Sequence, residues 1–168
     1  MKYLIVVDMQ VDFITGNLGS EHAIAIVPKV LEKIKKFNGK VIFTRDTHFD
    51  NYLNTEEGKK LPVVHCIKNS QGWQICDELK PYAEIIVDKL TFGCIDLPTI
   101  LKNFNESIDE IELCGLCTDI CVISNAMVLK AAFPDIPITV DSNCSAGVSV
   151  KSHNTALEAM KAVQINII

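Results

Sequence analysis

Basic residues are the minority among the charges: 16 Lys and Arg stand against 21 Asp and Glu, a net charge of −5. No stretch gathers them into a patch, which argues against nucleic acid or an anionic membrane surface as a partner. Apolar runs are short, and none approaches the ~18 residues of a membrane-crossing helix. The stretch Met1-Lys-Tyr-Leu-Ile-Val-Val-Asp8 meets a charge too soon to read as a secretory signal. Internal repeats and low-complexity segments are lacking, so the chain does not read as a solenoid or a tail. Seven cysteines is an odd count without the spacing of a disulfide scaffold, so free thiols in a reducing compartment are expected, and with them a cytoplasmic location.

What is present fits one globular unit. The 168 residues, 48% apolar and 22% charged, are expected to form a single domain over 1–168, long enough to bury roughly two-thirds of the unfolded surface. Residues 3–7 are a continuous apolar, β-branched run, the pattern of a strand covered on both faces. Apolar positions Ile24, Val27, Leu31, Ile34 and Phe37 then recur at helical spacing up to the stop signal Asn38-Gly39. Further strands are expected over 41–44, 84–88, 111–114 and 136–140, with a short one near 165–168. Helices are expected over 74–79, 97–104, 118–132 and 152–163. Pro62 breaks the run 61–66 and makes it a loop rather than a central strand. Strands alternating with helices give an α/β class: a three-layer α/β/α arrangement around a mainly parallel, Rossmann-like sheet of five or six strands.

Ligands of such sheets collect at the carboxyl ends of the strands. Asp8, Asp46 with His48, Lys89 and Cys121 all fall just past predicted strand ends. Each has a plain reading alone: a turn cap, a hydrogen-bonded pair, a solvated amine, a small buried thiol. Together their chemistries complement one another. A thiol near a lysine and at a helix N-terminus gains thiolate character, and a nearby carboxylate can carry protons. Asp46, His48 and His65 offer one carboxylate and two imidazoles, enough for an open metal site. Phe13 and Trp73 are candidates to line a pocket for a flat substrate, whereas His22 and His153 read as structural. Cys114-Gly-Leu-Cys117 is a competing Cys-x-x-Cys constellation, suggesting thiol redox chemistry or half of a zinc site. The redox reading is weaker, because Cys114 lies in the apolar strand and points into the layers.

With these residues in hand the chain resembles the isochorismatase-like cysteine hydrolases, and among them the nicotinamidases. The resemblance rests on Leu4-Ile-Val-Val-Asp8-Met-Gln-Val-Asp-Phe13, Thr44-Arg-Asp46-Thr-His48, Pro62-Val-Val-His65-Cys66, Asp88-Lys89 followed by Phe92, and Gly115-Leu-Cys-Thr-Asp-Ile-Cys121-Val122. It implies a catalytic triad of Asp8, Lys89 and Cys121. It also implies a cis peptide at Leu116-Cys117, so that the backbone N–H groups of Cys117 and Cys121 form an oxyanion hole. Asp46, His48 and His65 would bind one divalent metal, zinc before iron or manganese, and Phe13 and Leu116 would line the substrate pocket. The implied partner is a small amide, and relatives of this kind often form homo-oligomers. A fourth ligand from the intervening loop would be Glu56 or Glu57, with neither spacing decisive. Three positions depart from the family pattern: Asn125 in place of Thr, Gly93-Cys94 in place of Ser-Ala, and Ser70-Gln71 in place of a Thr-bearing turn. They bear on the pocket walls, so another small amide or carbamoyl compound is the alternative substrate.

Overall fold

The computed structural model describes residues 1–168. Strand β1 (Lys2–Val7) lies at the centre, and its residues divide by parity as a two-fold pleat requires. Tyr3, Ile5 and Val7 face one core, whereas Leu4 and Val6 face the other. All five are fully buried, which is why this strand is apolar throughout rather than alternating. The Leu4 side is covered by α2 (Glu21–Lys36) through Ala23, Ile26, Val27, Val30 and Ile34. Ser20 caps that helix by accepting from the Ala23 N–H at 3.1 Å. The Tyr3 side is covered by α4 (Leu97–Asn103), α5 (Ile123–Ala132) and α6 (Val150–Ala162), through Leu97, Leu101, Ala126, Leu129, Leu157 and Met160. Each Val, Leu, Ile or Met among them taken fully out of water contributes roughly 1.5–3 kcal/mol.

The sheet has six strands in the order β3-β2-β1-β4-β5-β6, all paired in parallel. The others are β2 (Lys40–Asp46), β3 (Ile86–Lys89), β4 (Glu110–Leu116), β5 (Ile138–Ala146) and β6 (Asn166–Ile167). The expected three-layer α/β architecture is therefore present. Strand order reverses between β1 and β4, and the crevice beyond the carboxyl ends of those two strands is the usual ligand position in open parallel sheets. Short helices α1 (Val11–Ile14) and α3 (Glu56–Lys60) lie in the connections after β1 and β2. No helix is long and apolar enough to cross a membrane.

Two local expectations fail. Residues 74–79 form no helix, because Ile75 is drawn into an antiparallel bridge with Gln10 and the Cys76 N–H donates to Met9 O at 3.0 Å. Strand β5 runs past residue 140 to Ala146, and its register shifts against β4 between Leu113 and Gly115. That irregularity accommodates Asp141, whose Oδ1 accepts from the backbone of Asn143 and Cys144. All seven cysteines are free thiols, as their number and spacing suggest.

Candidate active site

Four strand ends converge on one buried cluster. Asp8 follows β1 with φ 49°, a left-handed conformation that Asp tolerates better than most residues. Its N–H donates to Thr44 Oγ1 at 3.2 Å and its Oδ1 accepts from the same hydroxyl at 2.6 Å, so β2 fixes the carboxylate. Gly115 in β4 has φ 119°, and a Cβ there would lie 2.2 Å from Val7 O. Glycine therefore lets the ends of β1 and β4 close together. A cis peptide joins Leu116 to Cys117, and a π-helical turn, Thr118–Val122, leads into α5. Such turns are frequent at functional sites. Cys121 lies within it, 5% exposed.

Lys89, the last residue of β3, ties these elements together. Its Nζ is 2.7 Å from Asp8 Oδ2, 3.1 Å from Asp46 Oδ1 and 3.4 Å from Cys121 Sγ, and it donates to Thr91 O at 3.2 Å. Burial would lower the Lys89 pKa, but Asp8, Cys121 and Asp46 hold it well above its ordinary value, so the lysine is a cation. Burial raises the Asp8 carboxyl, with Lys89 opposing. The helix N-terminus and the nearby lysine favour thiolate character at Cys121, but the surroundings work against it. Burial first, and then the Asp8 charge, push it well above its ordinary value despite Lys89, so the resting sulfur keeps its proton. Asp8 and Cys121 meet at the Lys89 ammonium, which lies 2.7 Å from the carboxylate and 3.4 Å from the sulfur.

The second half of the cluster begins at Asp46, the last residue of β2. Its Oδ2 is 2.9 Å from His48 Nε2 and 3.6 Å from His65 Nε2. Burial would raise its carboxyl, but the two imidazoles and Lys89 outweigh it and hold Asp46 far below the usual carboxylate range. Glu57 Oε1 completes the group at 3.5 Å from His48 and 3.7 Å from His65. One ligand atom from each of Asp46, His48, Glu57 and His65 lies within 4.8 Å of the others. The His65 Nδ1 sits 2.7 Å from Val63 O, an acceptor, so this nitrogen carries a hydrogen and Nε2 is the ring nitrogen turned toward the group. His48 Nε2 is buried and, although 2.9 Å from Asp46 Oδ2, is not aligned for a hydrogen bond to it. Two imidazole nitrogens converging with two carboxylates, one nitrogen left unsatisfied, fit a divalent cation.

The structure thus brings Asp8, Lys89, Cys121, Asp46, His48 and His65 into one contiguous site. Phe13 is half-buried with its ring centroid 5.5 Å from that of His65. Leu116 is buried in the α2-side core, and so is Cys114. Cys117 is partly exposed, its thiol pushed up to about 12 by burial. Trp73 is engaged elsewhere: Nε1 donates to Thr47 Oγ1 at 2.8 Å and the Arg45 guanidinium lies 3.5 Å from its ring. His153 bonds Thr118 Oγ1 at 2.8 Å, and His22 lies outside the cluster on the exposed start of α2.

Of the two acidic candidates in the intervening loop, Glu57 turns inward and Glu56 pairs with Lys60 in solvent. Thr55 sets that choice by capping α3 through the Gly58 N–H at 3.0 Å. Two further residues were not singled out by chemistry alone. Gln10, within the motif that opens the chain, binds the backbone of Asp46. Asn125 is fully buried: its Oδ1 accepts from the Cys94 N–H, and its Nδ2 donates to Phe92 O and Cys121 O. It clasps the loop after Lys89 onto the turn that carries Cys121.

Comparison with known proteins bears on this site. The family model described as Isochorismatase domain matches residues 2–168. The nicotinamidase/pyrazinamidase of Mycobacterium tuberculosis is 26% identical, over 100% of this chain and 98% of that protein. The nicotinamidase of Saccharomyces cerevisiae is 23% identical, over 100% and 99% respectively. The crystal structure of the pyrazinamidase of Pyrococcus horikoshii in complex with zinc superposes with a TM-score of 0.86 at 29% identity, covering 99% of this chain and 98% of that one.

Proposed function

The chain belongs to the isochorismatase family, and from that premise we propose that it is a metal-dependent amidohydrolase converting nicotinamide to nicotinate and ammonia through a thioester on Cys121. The observation that carries the proposal is the meeting, at Lys89, of a carboxylate, a thiol and the edge of a four-residue ligand group. A hydrolase acting on amides agrees with the relatives, which are nicotinamidases and pyrazinamidases.

The chemistry follows from the protonation states. Because Cys121 rests as a thiol, attack needs a base within reach, and Asp8, raised by burial, is suited to take and return a proton. As the sulfur bonds to the amide carbon, the proton passes to Asp8, while Lys89 offsets the negative charge on the sulfur. The carbonyl oxygen becomes an oxyanion, held by the backbone N–H groups of Cys117 and Cys121. One such donor is worth roughly 3 kcal/mol of transition-state stabilisation. Asp8 then protonates the leaving nitrogen, the C–N bond breaks and ammonia departs. A water, deprotonated by Asp8, attacks the thioester; the C–S bond breaks, the sulfur recovers its proton and the carboxylic acid leaves.

Asp46, His48 and His65 would hold the divalent ion, with Glu57 as the fourth protein group and zinc the first candidate. When bound, such an ion supplies a Lewis-acidic anchor for a ring nitrogen and draws electron density from the ring. Phe13, beside His65, would offer a face for a flat heterocycle.

The test is ammonia release by zinc-loaded protein over nicotinamide, pyrazinamide and small carbamoyl amides, with and without a chelator. The expected result is turnover of nicotinamide that chelation removes and zinc restores. Turnover of another amide, unaffected by chelation, would instead support a metal-free hydrolase of that compound. No ammonia from any of them would remove the amidase reading.

A further inference from the structure

Asp46 serves two neighbours at once, one oxygen toward Lys89 and the other toward both imidazoles. Its side chain can do so only if the backbone at the end of β2 is held in one orientation; the ladder to β3 holds one edge, and one side chain holds the other. Gln10 is fully buried. Its Nε2 donates to Asp46 O at 2.9 Å and to Trp73 O at 2.9 Å, and its Oε1 accepts from the Asp46 N–H at 2.7 Å. Both backbone polar groups of Asp46 therefore end on one carboxamide. Gln10 is itself fixed by its bridge to Ile75 and by its N–H, which donates to Asp8 O at 2.8 Å. The same residue thus connects the ends of β1 and β2 with the 73–75 segment.

We propose that Gln10 is a positioning residue that sets the Asp46 carboxylate for the metal group and the Lys89 cluster together. The inference rests on the amidase reading above. Gln10 touches neither the thiol nor the ligand atoms and acts through Asp46. The chemistry singles out glutamine: a glutamate of the same shape keeps the acceptor for the Asp46 N–H but loses the donor to two buried carbonyls, and a methionine loses all three bonds. A shift of the Asp46 backbone moves both carboxylate oxygens, so metal affinity and turnover are coupled.

The experiment compares wild type, Gln10→Glu and Gln10→Met with Val30→Ala, a core variant in α2 remote from the site. Each is measured well below its melting temperature for zinc affinity by chelator competition, for kcat on nicotinamide, and for the d–d absorption of the cobalt(II)-loaded protein. Both Gln10 variants are expected to bind zinc about 10- to 100-fold more weakly, with kcat reduced in parallel. Their cobalt spectra should be altered, while Val30→Ala melts earlier with wild-type affinity and spectrum. If the methionine variant does not fold, the isosteric glutamate variant carries the test. Gln10 variants that melt early yet keep wild-type zinc affinity, spectrum and kcat overturn the inference, as does failure of both to fold, which would assign Gln10 to stability alone. Wild-type protein that neither binds zinc nor releases ammonia overturns the amidase reading itself, and this inference with it.

Discussion

The chain builds a lysine, two carboxylates and a thiol into its interior twice. At the strand ends Lys89 meets Asp8 and Asp46, with Cys121 beside them. Beneath α2, Lys33 pairs with Glu112 of β4 and Asp141 of β5, and Cys144 stands next to Asp141. The inventories match, but the connections differ. Lys89 reaches the sulfur directly, whereas the polar contacts of Lys33 go to carboxylates, and Asp141 is filled by Lys33 and two backbone N–H groups. Cys144 is pushed up to about 12 by burial and by Asp141, with only a weaker opposing influence from Lys33. One cluster lies beyond the carboxyl ends of the strands beside two imidazoles; the other lies on a sheet face, where Lys33 neutralises a glutamate in a central strand. Residue types alone do not make a site, and the contact between cation and nucleophile separates the two.

The largest expected difference is between the thiols. Cys121→Ala should lower ammonia release from nicotinamide by at least about 10⁴-fold, as loss of a covalent nucleophile does. Cys144→Ala should stay within about 2-fold, both read by steady-state assay on protein with an intact circular dichroism spectrum. Retained turnover in the first variant, or a large loss in the second, would break the distinction.

The lysines come next. Lys89→Met should reduce kcat by about 10²- to 10³-fold. Lys33→Met should leave kcat per folded molecule within about 2-fold and act on stability instead. Lys33 is 16% exposed and its partners 12% and 13%. Breaking a fully buried pair costs about 3–5 kcal/mol, and this partial exposure brings the expected loss to about 2–3 kcal/mol in urea unfolding.

The smallest effect is a pH dependence of that stability. Burial pushes the Asp141 carboxyl up, but the hydrogen bond and charge of Lys33 outweigh it and hold it below its ordinary value. Its contribution is therefore complete above about pH 4 and lost as the pH falls through the lower folded value. Burial likewise works against the Lys33 charge, but Asp141 and Glu112 raise it above its ordinary value, so no loss is expected below about pH 10. Thermal melts should show the gap between wild type and Lys33→Met closing below about pH 4. A gap unchanged down to about pH 2 would mean that the ion pair does not contribute.

The two clusters were unequally legible in the sequence, for physical reasons. In a parallel sheet the polar residue that ends each apolar run is carried to one edge, so Asp8, Asp46, Lys89 and Cys121 could be gathered from their positions along the chain. The Lys33 cluster joins the last turn of a helix to two separate strands, and no periodicity announces a contact of that kind. Glu56 and Glu57 were indistinguishable until the Thr55 cap fixed the rotation of α3. The helix expected over 74–79 was lost to a tertiary bridge from Gln10, which local propensity does not contain. The helix dipole at Cys121 suggested a thiolate, but the depth of burial that reverses this is a property of the assembled layers.

The proposal that the Lys89 cluster forms a thioester is tested most directly by trapping. Hydroxylamine added during turnover of nicotinamide by the zinc-loaded protein should intercept the acyl group on Cys121 and divert product from nicotinate to nicotinohydroxamate, with ammonia still released. Undiminished nicotinate with no hydroxamate at any hydroxylamine concentration would contradict the covalent route and point to direct attack by water.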